Sequence, residues 1–326
     1  MKVRAVAIGL LGAAAIGAAI HASPARARAD NVRDERVASG RASFSRARLA
    51  RVSGHGHSSG PRLVVPILAG ELVPPMMSYR AYVKSLLTSL QTQVATLVTT
   101  VDAGDLAGAE SAWLTAHLTW LRIGQDDGAY GAFGELGRQI DGTAAGLVLG
   151  TASPDFTGFH KVELDLWTNH DLTAAGADAA KLQALVGALV KRRLAKELPT
   201  SVIGLIDWTL RCHEILEDGL RDSLSGNDDY GSGTDLASLT ADVAATREVL
   251  GLLAPLVAPS SPHLVGRALR ELAGLIDAVD ATRQDGQWVA ASALPLSERE
   301  RVNAATGAVL ETLAPVPDLL QIGNAP

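Results

Sequence analysis

Tyr79-RAYVKSLLTSLQTQVATLVTT-Val101 sets Tyr79, Val83, Leu86, Leu90, Val94, Leu97 and Val101 at steps of three and four. Such steps lay apolar side chains along one face of an α-helix, whereas a half-buried strand would alternate at every second residue. Gly104 followed by Asp105 reads as a helix stop and the cap of the next helix. Leu106, Trp113, Trp120 and Ile123 line that second helix. The same period returns in Leu182/Leu185/Leu189, in Val202/Leu205/Thr209/Cys212/Leu216/Leu220, in Leu264/Leu272/Leu275/Val279 and in Val302/Val309/Leu313/Val316. Pro199, Gly226, Pro259, Pro262 and Pro295 punctuate the runs. No comparable stretch of alternating β-branched residues occurs. The pattern predicts an all-α fold, an up-and-down helical bundle over residues 73–322. A break near Thr200 divides it into two four-helix-bundle-like lobes.

The segments before this body read differently. Lys2 and Arg4 precede an apolar run from Ala5 to Ile20, and Ala27-Arg28-Ala29 precedes Asp30. That order is the one found in secretory signal peptides, so residues 1–29 are expected to direct export, with cleavage near Ala29. Left uncleaved, the run is a membrane anchor. Residues 30–72 are rich in Arg, Ser, Gly and Ala and are expected to form a flexible tether, because they bury too little apolar surface to offset ordering. His55 and His57 lie in this tract, where a His-x-His in a Gly/Ser linker is commonly incidental. Leu63-Val64-Val65-Pro66-Ile67-Leu68 is the one short apolar run before Leu72 and reads as a docking strand.

The formal charge is −6, but residues 1–62 hold eleven Lys/Arg against three Asp/Glu. A basic leader therefore precedes an acidic body, which argues against a nucleic-acid partner and suits cations or basic partners. The single cysteine, Cys212, rules out an intrachain disulfide and a zinc site built on cysteines.

Asp155-Phe156-Thr157-Gly158-Phe159-His160-Lys161-Val162-Glu163-Leu164-Asp165-Leu166-Trp167 follows a Gly-rich, acidic stretch. On a helix His160 and Glu163 stand three apart and project from one face. An imidazole nitrogen with a carboxylate oxygen suits iron, zinc or a similar cation. Spacing alone fits equally well a histidine hydrogen-bonded to a glutamate one turn away.

Gly158-Phe159-His160-Lys161-Val162-Glu163 resembles the Gly-x-His-x-x-Glu signature of the imelysin/EfeO-like family. Tyr79-Arg80-Ala81-Tyr82-Val83 is similar to its opening helix, Ala103-Gly104-Asp105-Leu106 to its first turn, Arg122-Ile123 to the centre of its Glu-Arg-Ile-Glu-Pro segment and Ile140-Asp141 to the Ile-Asp before the signature. Ser225-Gly226 through Tyr230 and Ser232-Gly233-Thr234-Asp235-Leu236 resemble a later Thr-Gly-Glu-Glu and Ser-His-Thr-Asp-Leu stretch. The chain departs from that pattern at Leu121 and Gly124, which flank Arg122-Ile123 in place of glutamates, and at Gly233, in place of a histidine.

The resemblance implies metal ligation by His160 and Glu163, with Asp141 as a third ligand. His117, one turn before Leu121, is the candidate to replace a missing carboxylate, and Asp127 stands near the other vacated position. Asp126, Asp228 and Asp229 read as solvated loop charges, and His213, beside Glu214, as a bundle-face residue. The family's role implies delivery of iron, with zinc or copper as other ions, at the cell envelope beside a membrane iron permease and a haem peroxidase. Larger members carry a cupredoxin domain, for which residues 30–72 are too short. The alternative is a fold that lost its ligands and serves as a binding or scaffold protein. A metallopeptidase is a third reading, but nothing matches His-Glu-x-x-His, and no catalytic residue is assigned.

Overall fold

The computed structural model of the protein describes residues 66–124, 133–195 and 202–322. The leader, most of the tether with His55 and His57, and Asp126 and Asp127 lie outside the described residues. Among the described residues the fold is all-α, with two isolated bridges in place of any sheet. No described helix is long and apolar enough to cross a membrane.

The first helix, α1 (Val73–Asp102), begins six residues before the periodic stretch, because Pro74 and Pro75 sit in its first turn, where a missing N–H costs nothing. Its core stripe is Tyr79, Val83, Leu87, Leu90, Val94, Leu97 and Val101, so Leu87 takes the inward place expected for Leu86. Burying each leucine contributes roughly 1.5–3 kcal/mol. Gly104 adopts φ +74°, and the Asp105 carboxylate accepts from the Gly108 N–H at 2.9 Å, capping α2 (Leu106–Leu121) as expected.

Three short elements follow. They are α3 (Glu135–Asp141), α4 (Phe159–Glu163) and a π-helical turn, Leu164–Thr168, that continues α4. The long helices are α5 (Leu172–Ala195), α6 (Val202–Arg221), α7 (Asp235–Val257), α8 (Leu264–Asp280) and α9 (Leu296–Leu313), ending in the single turn α10 (Val316–Leu319). In one lobe α1 packs on α2 and α5, with α4 against α5. In the other, α6 packs on α7, and α8 on α7 and α9. Helix α7 also lies against α1 and α2, joining the lobes.

Helix α7 shows no single apolar period in its sequence, for a physical reason. Leu236, Leu239, Val243, Leu250 and Val257 are buried, and so are Thr246 within their stripe and Ser238 and Asp242 beside it. A helix covered nearly all round carries no single apolar stripe. The apolar run before Leu72 also departs from expectation. Within its described part, Ile67 makes one parallel bridge to Ile322, its N–H donating to the Gln321 carbonyl at 3.1 Å, and Ala69–Leu72 form a 3-10 turn. The packed body thus extends back to Ile67, into what reads from sequence as tether.

Candidate metal centre

His117 projects from α2, Asp141 closes α3 and His160 lies in α4. These three side chains, 24 and 43 residues from His117 to its partners, meet where the lobes join. His117 Nε2 is 3.1 Å and His160 Nε2 3.6 Å from Asp141 Oδ1. One donor atom from each residue lies within 4.8 Å of the other two. The two imidazoles stand edge to face, with centroids 5.2 Å apart. Ligands about 2.0–2.2 Å from an ion are separated by roughly 3.0–3.6 Å in tetrahedral or octahedral geometry, so the two measured separations fit a shared cation.

Backbone chemistry explains why α3 and α4 bring these groups together. Gly158 has φ +83°, and a Cβ there would stand 2.0 Å from the Ile140 carbonyl oxygen and 2.5 Å from that of Gln139. The chain can enter α4 against the end of α3 only without a side chain at this position. The Thr157 hydroxyl donates to the Gln139 carbonyl at 2.8 Å, and the Trp113 indole N–H to the Phe159 carbonyl at 2.9 Å, fastening α4 to α3 and α2. Gly158→Ala is expected to cost at least about 3 kcal/mol, since backbone atoms cannot rotate aside. In a thermal melt that is a fall in Tm of roughly 6–12 °C for a domain of this size.

Glu163, expected as a ligand, is committed elsewhere. Its Oε2 meets His160 Nδ1 at 3.0 Å, and its Oε1 accepts from the Tyr230 N–H, the Ser232 N–H and the Ser232 hydroxyl at 3.0, 3.1 and 2.6 Å. The reason is the loop between α6 and α7, which folds over α4 and saturates the carboxylate. Glu163 therefore holds His160 with Nε2 turned toward Asp141, the outer-partner arrangement that fixes a ligating imidazole.

Asp228, expected as a solvated loop charge, instead faces a cavity of about 60 Å³ beside Asp141 and His160. One oxygen accepts from the Ser223 hydroxyl at 3.0 Å, and the other is inaccessible and has no hydrogen-bond partner among the described residues. Asp229 is also structured, its Oδ1 accepting from the N–H groups of Gly231 and Gly233. The run Asn227-Asp228-Asp229-Tyr230 between glycines marks a tight loop, in which the Asp229 carboxylate caps the loop's own backbone. His213 remains a bundle-face residue, 3.3 Å from Glu217.

Burial alone would depress the pKa of His160, but the charges of Asp141 and Glu163 outweigh it and raise it to about 9. Burial works against the Glu163 carboxylate, yet the His160 and Ser232 contacts hold it below the usual range. Burial pushes Asp228 up, against the pull of His160 and His117. Buried Cys212 is pushed up to about 12, which leaves it an unreactive thiol.

A family model described as Imelysin, peptidase M75, matches residues 76–200. Over residues 76–200 the chain is similar to the imelysin family. The iron uptake system component EfeO of Yersinia pestis is 29% identical over 217 residues, covering 63% of this chain and 55% of that protein. EfeO of Yersinia pseudotuberculosis serotype I is 28% identical over 223 residues, 64% and 57% of the two chains. EfeO of Escherichia coli K12 is 26% identical over 193 residues, 58% and 48%. The chain thus spans about half the length of the curated relatives it matches.

Of the departures from the imelysin pattern, Leu121 faces the site, lining the cavity with Asp141 and His160. Gly124, at φ +64°, is closed in by Ile215 and Ala245, and a Cβ there would stand 2.8 Å from Ile215 Cδ1. A Cβ at Gly233 would meet Ala290. In this imelysin-like chain His117 supplies a donor one turn from Leu121, where the wall has become apolar.

Proposed function

We propose that this chain is an extracytoplasmic metal-binding protein of an EfeO-type iron-uptake system, in which iron is the cargo. The observation that carries the reading is the convergence of His117, His160 and Asp141, one donor atom of each lying within 4.8 Å of the other two in a buried pocket. Two imidazoles and a carboxylate are the donor set of ferrous iron and of zinc. The remaining positions of an ion face the cavity, where Asp228 and Asp242 offer further oxygens and Asp218 and Asp222 line the wall paired with Arg221.

Export rests on the order of Lys2, Arg4, the apolar run Ala5–Ile20 and Ala27-Arg28-Ala29. A membrane permease and a haem peroxidase are the partners that the likeness to EfeO suggests. The role is binding and not hydrolysis. The zincin device places two histidines and a glutamate on one helix, whereas the donors here come from α2, α3 and α4.

Leu121 favours the second reading, a scaffold that no longer holds an ion. Calorimetric titration of the full chain with ferrous, ferric, zinc and copper ions decides between them. Saturable binding of one ion per chain is the expected result, and no heat of binding with any of the four would leave the scaffold reading.

A further inference from the structure

The two histidines of the centre are held differently. His160 has its outer nitrogen on Glu163, whereas His117 Nδ1 is buried with no hydrogen-bond partner among the described residues. His117 is 2% exposed and packed against the rings of Trp113 and Phe159. A second, polar cavity of about 10 Å³ is lined by His117, Glu163, Asp228, Asp235, Thr234 and Ser238 among others. That is room for about one water molecule. Asp235 is 4% exposed; its Oδ2 accepts from the Ala291 N–H at 2.9 Å, and its Oδ1 is buried without a partner. Asp228, one oxygen of which has no partner among the described residues, lines this cavity as well as the larger one.

A donor and acceptors left unmatched around one water-sized space destabilise the fold unless something reaches them. A cation does not fit as the bridging group. Among the described residues, the set with three donor atoms within 4.8 Å is His117, Asp141 and His160, and no such set includes Asp235. Ions bind oxygen at about 2.0–2.6 Å, while a water bridging at about 2.7–3.2 Å spans groups up to roughly 6 Å apart. Water also both donates and accepts, so it serves His117 Nδ1 whether that nitrogen bears a proton or not.

We propose that this cavity binds one ordered water, hydrogen-bonded to His117 Nδ1 and Asp235 Oδ1 with Asp228 as third partner, making Asp235 the positioning residue for His117 as Glu163 is for His160. The consequence for metal affinity rests on the metal-binding reading above; the water itself does not. With an ion on Nε2, His117 must present Nδ1–H outward, and the water passes that hydrogen bond to a carboxylate.

A crystal structure of the metal-free protein at better than about 1.8 Å should show a peak within about 3.2 Å of both His117 Nδ1 and Asp235 Oδ1. Absence of such a peak, or a metal ion in its place, overturns the proposal. Asp235→Asn keeps an oxygen for the Ala291 N–H and places an amide donor where the water needs an acceptor. Zinc affinity of this variant, titrated by calorimetry, is expected to fall about 10- to 100-fold with an unchanged melting temperature, and unchanged zinc affinity also overturns the proposal. If the variant does not fold, the wild-type map decides alone. A wild type that holds the water but binds no zinc or iron defeats the metal reading and leaves this one standing.

Discussion

His160→Ala is expected to abolish saturable metal binding, with a loss beyond the 10- to 100-fold that removing an outer partner of a ligand costs. His160 is one of three convergent donors, and its Nε2 has no substitute on α4, since Lys161 is engaged with Asp165 and Asp178. The variant also removes the partner of a buried Glu163 oxygen and leaves Asp141 facing His117 alone. Breaking one side of a buried charge pair costs about 3–5 kcal/mol, so a lower melting temperature accompanies the loss. His160→Gln separates the two effects. Its amide can donate to Glu163 in place of Nδ1–H but gives an ion no imidazole, so it should recover stability and not binding. Calorimetry and thermal melts on both variants provide the check. Full affinity in His160→Gln would show that the imidazole is not a ligand.

How much of this was legible in the sequence depends on how far apart the cooperating residues lie. Helices with one buried face, such as α1 and α8, announce themselves by period, and Gly104-Asp105 marks a boundary that the structure keeps. Helix α7 does not, because its polar Ser238, Asp242 and Thr246 are buried along with its leucines and blur the stripe. At the site, His160 and Glu163 are visible as a pair three residues apart. Their division of labour is not visible, because the atoms that occupy Glu163 come from Tyr230 and Ser232, about 70 residues on. His117 and Asp141 are brought together by the fold of α2 against α3 and α4, which local spacing cannot express. Asp228 and Asp235 illustrate the same limit from the other side. Acidic residues among glycines have the composition of a solvated loop, and only tertiary packing turns them into cavity lining.

Metal affinity should rise about tenfold per pH unit between pH 6 and 8 and level off above about pH 9. In the ion-free centre His160 titrates at about 9, so at neutral pH it is an imidazolium held between Glu163 and Asp141. An ion binds only the deprotonated nitrogen, so each binding event below that pKa releases the Nε2 proton. Two units of pH are therefore worth about 100-fold in affinity. The stability of the ion-free protein runs the other way. A histidine whose pKa is raised from 6.5 to about 9 stabilises the fold fully below pH 6.5 and loses that contribution as pH climbs through 9, a change of roughly 3 kcal/mol. Alkaline pH thus loosens the ion-free chain while tightening its hold on the ion, and mild acid favours release into a chain that stays folded. Titrations and thermal melts of both forms across pH 6–9.5 test this directly. A flat affinity profile would remove His160 from the ligand set, and an ion-free melting temperature that rises with pH over the same range would mean that the imidazole is buried neutral.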